Sequence, residues 1–446
     1  MLNKEEIIEA LSPLNFWGKK QNTGIDRDKY LPCFNRYLKG RDVVIAVIGV
    51  RRSGKTFLTK QILKGVLSRT SPENTLYVLL EDPKLEPYLG VNLLDEIYYS
   101  FKNYVAADGE LCIVLDEIQN VPLWEKWVRL VIEKRENVRL IITGSSSKLL
   151  YSRLAKTLTG RTLTIEVFPL SFKEFLLFKG FTLGKEYALI SERRKLEKFL
   201  FEYLTYGGFP QVVLEEDIAL KNQLLKELFE GIVYKDVMGR HKTKDAPLAK
   251  IIAEISLNYF SSLGSASKLR NIVAGLVGRK VSPNLVLQIL SYLEEAFLIY
   301  QVPIFSYKVK EQKLYPKKFY CIDTGIINAV TTKFSENIGR LYENTVAISL
   351  IRQNGKDKVF YWKSNTHEEV DFVIKEGLKI KKLIQVCYEL SNEKTKKREL
   401  ASLVKASKEL KCKQLLIITR DYAGAEKIGS QVIVYVPLWK WLLENE

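Results

Sequence analysis

The sequence predicts an α/β protein whose amino-terminal third is a parallel sheet covered by helices, and three observations carry that prediction. Between residues 43 and 167, apolar runs of strand length alternate with stretches of helical periodicity. One run, Val43-Val44-Ile45-Ala46-Val47-Ile48, passes directly into Gly49-Val50-Arg51-Arg52-Ser53-Gly54-Lys55-Thr56, which fits G-x-x-x-x-G-K-[ST], and a helical stretch opens at Phe57. Another, Leu111-Cys112-Ile113-Val114-Leu115, ends in the acid pair Asp116-Glu117. An open parallel sheet gathers its functional groups at the carboxyl ends of its strands, so this loop and these acids belong side by side.

The first strand and its loop form a phosphate-binding unit. Glycines at 49 and 54 let the backbone curl, so that successive N–H groups point into one concavity beside a helix N-terminus. Lys55 reaches the β- and γ-phosphates and the Thr56 hydroxyl ligates the bridging magnesium. The nucleotide-contacting set is Gly49, Val50, Arg51, Arg52, Ser53, Gly54, Lys55, Thr56 and Phe57. The ligands expected are therefore ATP and Mg2+. Thr75-Leu76-Tyr77-Val78-Leu79-Leu80 is the second strand. The third sets Asp116 beside the loop, where its carboxylate holds magnesium through water, and Glu117 on the γ-phosphate side, where it orients the attacking water. After the fourth, Val138-Arg139-Leu140-Ile141-Ile142-Thr143, come Gly144-Ser145-Ser146-Ser147. Ser145 and its neighbours either sense the γ-phosphate or cap a following helix, and the two roles are compatible. The fifth, Thr162-Leu163-Thr164-Ile165-Glu166-Val167, is introduced by Thr159-Gly160-Arg161. Arg161 is a candidate phosphate contact, in its own subunit or a neighbour's, or else a plain surface arginine.

The 49–56 loop, Leu-Asp-Glu-Ile-Gln at 115–119, Ile-Thr-Gly-Ser-Ser-Ser-Lys-Leu-Leu at 142–150, Thr-Gly-Arg-Thr at 159–162 and Phe168-Pro169-Leu170-Ser171-Phe172-Lys173-Glu174-Phe175 together resemble the AAA-type ATPases of archaea and bacteria. The resemblance is to the branch whose ATPase module is fused to a C-terminal domain of uncharacterised function, and it covers almost the whole chain. It implies an additional-strand P-loop NTPase core over residues 1–180 with sheet order 5-1-4-3-2. Arg27-Asp28-Lys29-Tyr30 resembles the family's segment near the adenine, or is a plain helical lead-in.

Residues 196–206 and 218–241 show helical spacing, separated by Gly207-Gly208-Phe209-Pro210, and predict a helical lid over 181–245. Asp236 and Arg240, at i and i+4, are placed to pair. Residues 246–325 then read as three helices and a strand hairpin, a winged-helix pattern, with Ser265 opening the second helix and Ser282-Pro283-Asn284 the third. Lys308, Lys310, Lys313, Lys317 and Lys318 would ride the phosphates of a duplex, although the third helix is nearly uncharged and winged helices also serve protein contacts. Residues 326–446 predict an α/β domain resembling restriction endonucleases, with Glu343 on a helix and Asp371 on a strand. Gln385 and Cys387 follow one strand later, where that family's metal site has its last acid or glutamine and its lysine. Cys387 in the lysine's place predicts a retained fold that does not cleave DNA. Tyr361-Trp362 reads as core or as a base-stacking surface.

Composition limits the classes. A chain of 446 residues exceeds one core, and no apolar stretch has the length of a membrane span. The first residues carry no apolar secretory segment, which predicts a cytoplasmic protein. Cys33, Cys112, Cys321, Cys387 and Cys412 form no C-x-x-C pair, which argues against a zinc site or a disulfide framework. The net charge is +17, of which residues 263–320 supply +6 and residues 352–420 supply +8. That concentration points to an anionic partner, duplex DNA first, or to a solvated lysine-rich face. The leading expectation is an ATP-driven switch acting on DNA, in a chain able to form homo-oligomers. The alternatives are a DNA-binding regulator with little turnover and a metal-dependent nuclease at Glu343 and Asp371.

Overall fold

The structure, a computed structural model, describes residues 2–32, 34, 43–134, 137–146, 158, 160–184, 191–241, 245–331, 338–390 and 392–446. It divides into two compact units, Met1–Val167 and Phe168–Glu446.

In the first unit, β1 (Val44–Ile48) lies between β4 (Val138–Gly144) and β5 (Thr162–Glu166), with β3 (Leu111–Asp116) and β2 (Thr75–Leu79) beyond β4. All pairings are parallel, and the order β2-β3-β4-β1-β5 is the 5-1-4-3-2 arrangement that the resemblance implied. β1 is buried along its whole length because helices cover both faces, which is why its residues form a continuous apolar run. Register brings Ile48 beside Gly144 and Leu79 beside Asp116, so the loop and the acids emerge at one edge. The covering helices are α1 (Lys4–Leu11), α2 (Lys55–Val66), α3 (Val91–Tyr104) and α4 (Trp124–Glu133). Each buries residues at helical spacing, as Trp124, Trp127, Val128 and Val131 do on α4.

The second unit opens with α5 (Phe172–Phe178), α6 (Arg193–Tyr206), α7 (Pro210–Leu214) and α8 (Ile218–Gly231), which runs on as a π-helical segment over Ile232–Gly239. Asp236 and Arg240 pair at 2.7 Å across that segment. Then follow α9 (Ala246–Asn258), β6 (Ser262–Gly264), α10 (Ala266–Val277), α11 (Pro283–Glu295), β7 (Ile299–Val302), α12 (Val309–Leu314) and β8 (Lys317–Cys321). β7 and β8 pair antiparallel as expected, and β6, too short for periodicity to reveal, joins the outer edge of β8. Ser265 and Ser282 cap α10 and α11 through their side chains.

α13 (Thr324–Val330) packs on α6 and α8, and its N-cap Asp323 accepts a hydrogen bond from Gly208 N–H at 2.7 Å. The chain ends in α14 (Ile338–Asn354), β9 (Val359–Lys363), β10 (Glu369–Glu376), β11 (Lys379–Cys387), α15 (Glu393–Leu410), β12 (Leu415–Thr419), β13 (Gly424–Ile428), β14 (Gln431–Pro437) and α16 (Leu438–Asn445). Their sheet runs β13-β14-β12-β11-β10-β9, with β11, β12 and β14 parallel and the outer pairs antiparallel. α15 covers one face over a core that includes Trp362, Val373, Leu383, Leu403 and Ile417. No helix among the described residues is long and apolar enough to cross a membrane.

Candidate functional site

The loop between β1 and α2 has the backbone of an anion cradle. Gly49, Arg52 and Gly54 take positive φ values of 149°, 60° and 95°, which turn neighbouring N–H groups inward. Gly49 is obligatory, since a Cβ there would overlap the Val167 carbonyl. Gly54 offers no side-chain cap to α2, so the first-turn N–H groups remain available to an anion. Lys55 is 5% exposed, and its Nζ donates to the carbonyls of Gly49 (3.1 Å) and Val50 (3.2 Å). The buried Ser53 Oγ has no hydrogen-bond partner among the described residues, an orphan that a phosphate oxygen would satisfy.

The lead-in segment is fastened to this unit by buried polar bonds. Arg27 donates from Nη1 to the Ser53 carbonyl (2.8 Å) and from its backbone to Gln61 Oε1 (3.1 Å). Gln61 Nε2 in turn donates to the carbonyls of Thr23 and Ile25, each at 2.8 Å. Gly24 lies against the ring of Phe57, which is 47% exposed, so Phe57 flanks the cradle beside the lead-in segment.

Asp116, fully buried at the end of β3, accepts hydrogen bonds from three hydroxyls: Thr56 Oγ1 at 2.8 Å, Tyr77 OH and Thr143 Oγ1. Thr143 Oγ1 also accepts from Glu117 N–H (2.9 Å), so one side chain fixes both acids. Glu117 sits in the left-handed region (φ 57°, ψ 48°), a conformation that costs a non-glycine residue roughly 1–2 kcal/mol and is held here by its neighbours. Its carboxylate accepts from Ser145 Oγ (3.2 Å) and from Gln119 Nε2, and lies 3.8 Å from Lys55 Nζ. Burial and the nearby Asp116 charge push the Tyr77 phenol far above its ordinary range, so it serves as a donor. Burial lowers the Lys60 ammonium, which lies 5.3 Å over the Tyr77 ring.

These donors fit magnesium and a triphosphate: a hydroxyl and a carboxylate 2.8 Å apart at the mouth of an uncapped helix, with a buried ammonium alongside. Residues 49–56, Asp116, Glu117, Thr143 and Ser145 are brought together. Arg161 is not. Its carbonyl accepts from Val44 N–H (2.9 Å) at the start of β1, whereas the loop follows the end of β1, about 15 Å away at roughly 3.3 Å per residue. Arg161 therefore stands at the opposite end of the sheet from the loop. Ser147, Thr159 and Cys33 lie outside the described residues. Tyr77 went unrecognised in the sequence because an aromatic within an apolar strand reads as core.

The second candidate centre, in the C-terminal sheet, is arranged differently from the sequence reading. Lys318 is buried rather than phosphate-facing, 3% exposed, with Nζ 2.8 Å from Glu369 Oε1, 2.8 Å from Asp371 Oδ1 and 3.1 Å from Glu343 Oε1. Burial alone would lower its pKa, but the carboxylates of Asp371, Glu343 and Glu369 outweigh that and hold the ammonium charged. One ammonium does not fully offset three acids, and burial pushes Glu343 up to about 7. Gln385 accepts from Asp371 N–H (3.1 Å) and donates to Glu399. The Cys387 thiol donates to the Glu389 carbonyl at 3.3 Å. Tyr361 and Trp362 are core. Among the described residues no group of three or more His, Cys, Asp or Glu is placed to hold a metal ion.

A family described as an AAA domain matches residues 41–176, and two described as domains of unknown function (DUF8612 and DUF4143) match residues 197–337 and 338–441. The uncharacterized protein MJ1544 of Methanocaldococcus jannaschii is 36% identical, over 99% of this chain and 96% of that protein. An uncharacterized protein of Haemophilus influenzae is 30% identical, over 94% of this chain and 99% of its own length. Among solved structures, the Walker-type ATPase paby2304 of Pyrococcus abyssi aligns at TM-score 0.44 with 14% identity, covering 68% of this chain and 95% of that one.

Proposed function

We propose that this chain, which belongs to the same family as the uncharacterized protein MJ1544 of Methanocaldococcus jannaschii and carries an AAA domain over residues 41–176, binds ATP with magnesium at its P-loop and hydrolyses it. The observation that carries this reading is the continuous polar constellation running from Lys55 and Thr56 through Asp116 and Thr143 to Glu117 and Ser145, at the open N-terminus of α2.

Bound magnesium would neutralise charge developing on the β- and γ-phosphate oxygens, held by Thr56 and Asp116. Lys55 exchanges its two carbonyl contacts for phosphate oxygens. Glu117 accepts a hydrogen bond from the attacking water and orients it. Ser145, at the end of β4, reports the γ-phosphate to Glu117, to which it is already bonded. Arg161 is assigned to a neighbouring copy's phosphate in a homo-oligomer, because its own loop is a strand's length away.

The work done with ATP is assigned to the basic second unit, as a nucleotide-driven switch on duplex DNA or a DNA-bound partner. The helix-strand-helix-helix-hairpin order over residues 246–321 supports a winged-helix reading. Lys310 and Lys313, exposed on α12 beside the 78% exposed Tyr307, are the groups assigned to phosphate. The test is phosphate release by the purified chain, with and without duplex DNA at two salt concentrations. Lys55→Ala is expected to lose nucleotide binding and turnover together, and turnover surviving in that variant would exclude the site. DNA retention is expected to fall steeply with salt, and failure to retain duplex at low salt would remove DNA from the reading.

A further inference from the structure

We infer that Lys318 is a built-in cation filling the acidic centre of the C-terminal sheet, so that the native chain binds no divalent metal there and uses the charge to fasten β8 to β10 and α14. An ammonium has three N–H donors and no acceptor. The three carboxylate oxygens around Nζ, at 2.8, 2.8 and 3.1 Å, account for all three donors. A divalent ion would need oxygens at roughly 2.0–2.6 Å around the same point, which Nζ already occupies.

The acids come from separate elements. Glu343 lies on α14, while Glu369 and Asp371, two apart on β10, face the same side. Tyr320, two residues beyond Lys318 on β8, also donates to Glu343 Oε1 at 2.7 Å. The other Asp371 oxygen accepts from Val386 N–H at 2.9 Å, so the carboxylate is held on both sides.

β8 does not depend on this charge alone. Cys321 N–H donates to Asn344 Oδ1 (2.8 Å) and Asn344 Nδ2 donates to the Cys321 carbonyl (2.9 Å), an amide pair that ties β8 to α14. Phe305 N–H donates to the Tyr361 carbonyl (2.6 Å) and Tyr361 N–H to the Pro303 carbonyl (3.1 Å), tying the chain after β7 to β9. Lys318→Met therefore keeps the packing volume and the neighbouring ties while leaving three carboxylates facing one another, which a divalent ion relieves.

The experiment titrates Mn2+ into the nucleotide-free full chain, as wild type, K318M, D371N and the K318M/D371N double variant, reading free Mn2+ by electron paramagnetic resonance and melting temperature in parallel. K318M is expected to bind about one Mn2+ per chain more than wild type and to melt higher with Mn2+ than without, by mass action. Both gains are expected to vanish in the double variant. Should K318M be recovered unfolded, Mn2+ is expected to refold it, and failure to do so counts against the inference. Wild-type binding of Mn2+ that disappears in D371N overturns it, as does a folded K318M that binds no more Mn2+ than wild type.

Discussion

At the scale of single residues, Asp116 shows how the site is prepared. Three hydroxyls, from Thr56, Tyr77 and Thr143, hold its carboxylate before any ligand arrives. Groups that orient a metal's ligand typically change metal affinity about 10–100-fold when removed. Tyr77→Phe keeps the buried ring and deletes only the hydroxyl. It is expected to raise the Mg2+ needed for half-maximal turnover by about 10-fold, leaving the melting temperature nearly unchanged; an unaltered Mg2+ profile would show that Thr56 and Thr143 suffice. Lys55, Thr56, Asp116 and Glu117 were legible in the sequence because each sits at a fixed offset from a strand end. Tyr77 was not, since its partner lies 39 residues on. Lys318 was misread for the same reason. Lys308, Lys310 and Lys313 ahead of it are exposed, while the carboxylates around its ammonium stand 25, 51 and 53 residues away, where no local charge count registers them.

At the scale of elements, the Gly207-Gly208 turn between α6 and α7 is a contact surface as well as a reversal. Gly207 holds φ 75° and ψ −163°, a region open essentially to glycine, and a Cβ there would overlap the Asp323 carboxylate. A Cβ on Gly208 would overlap the Leu170 carbonyl. Gly207→Ala and Gly208→Ala are each expected to destabilise the second unit by at least ~2 kcal/mol in urea unfolding; neutral substitutions would mean that the turn relaxes freely.

Asp323 carries a related pH signature. Burial raises its carboxyl to about 6, although it accepts from Gly208 and Gly325 N–H. The folded chain therefore keeps this proton up to about pH 6, whereas the unfolded chain releases it near the ordinary ~3.9. Between those values the folded state binds more protons, so this group's contribution to stability falls as pH rises from about 4 to about 6 and is level above. Asp323→Asn is expected to flatten that interval; an unchanged profile would assign the slope to other groups. The sequence marked the Gly-Gly-x-Pro break but not its partner, because α13 returns to α6 and α8 from more than a hundred residues later.

At the scale of the whole chain, charge and sheet order were read with different success. The order 5-1-4-3-2 came from the resemblance, since spacing names strands without saying which neighbours which. Net charge located a basic second half, but the fold takes Lys318 out of any partner's reach by burial and sets the surface lysines Lys356, Lys381 and Lys405 against Glu294, Glu376 and Glu368. Nucleic-acid contact is therefore assigned to particular exposed lysines rather than to the charge total. Substituting Lys310 and Lys313 together with Glu is expected to weaken duplex retention and reduce the steepness of its salt dependence by about one to two counterions. Retention unchanged at each salt concentration would move the contact away from α12.

Hydrolysis at the P-loop is tested most directly by Glu117→Gln, assayed for ATP binding and for phosphate release under saturating Mg-ATP. Glutamine preserves the shape of the side chain and removes the charge that orients the water. The variant is expected to bind ATP as tightly as wild type and to release phosphate at least ~100-fold more slowly. A Glu117→Gln chain that binds ATP and releases phosphate at the wild-type rate would contradict the assignment of this site.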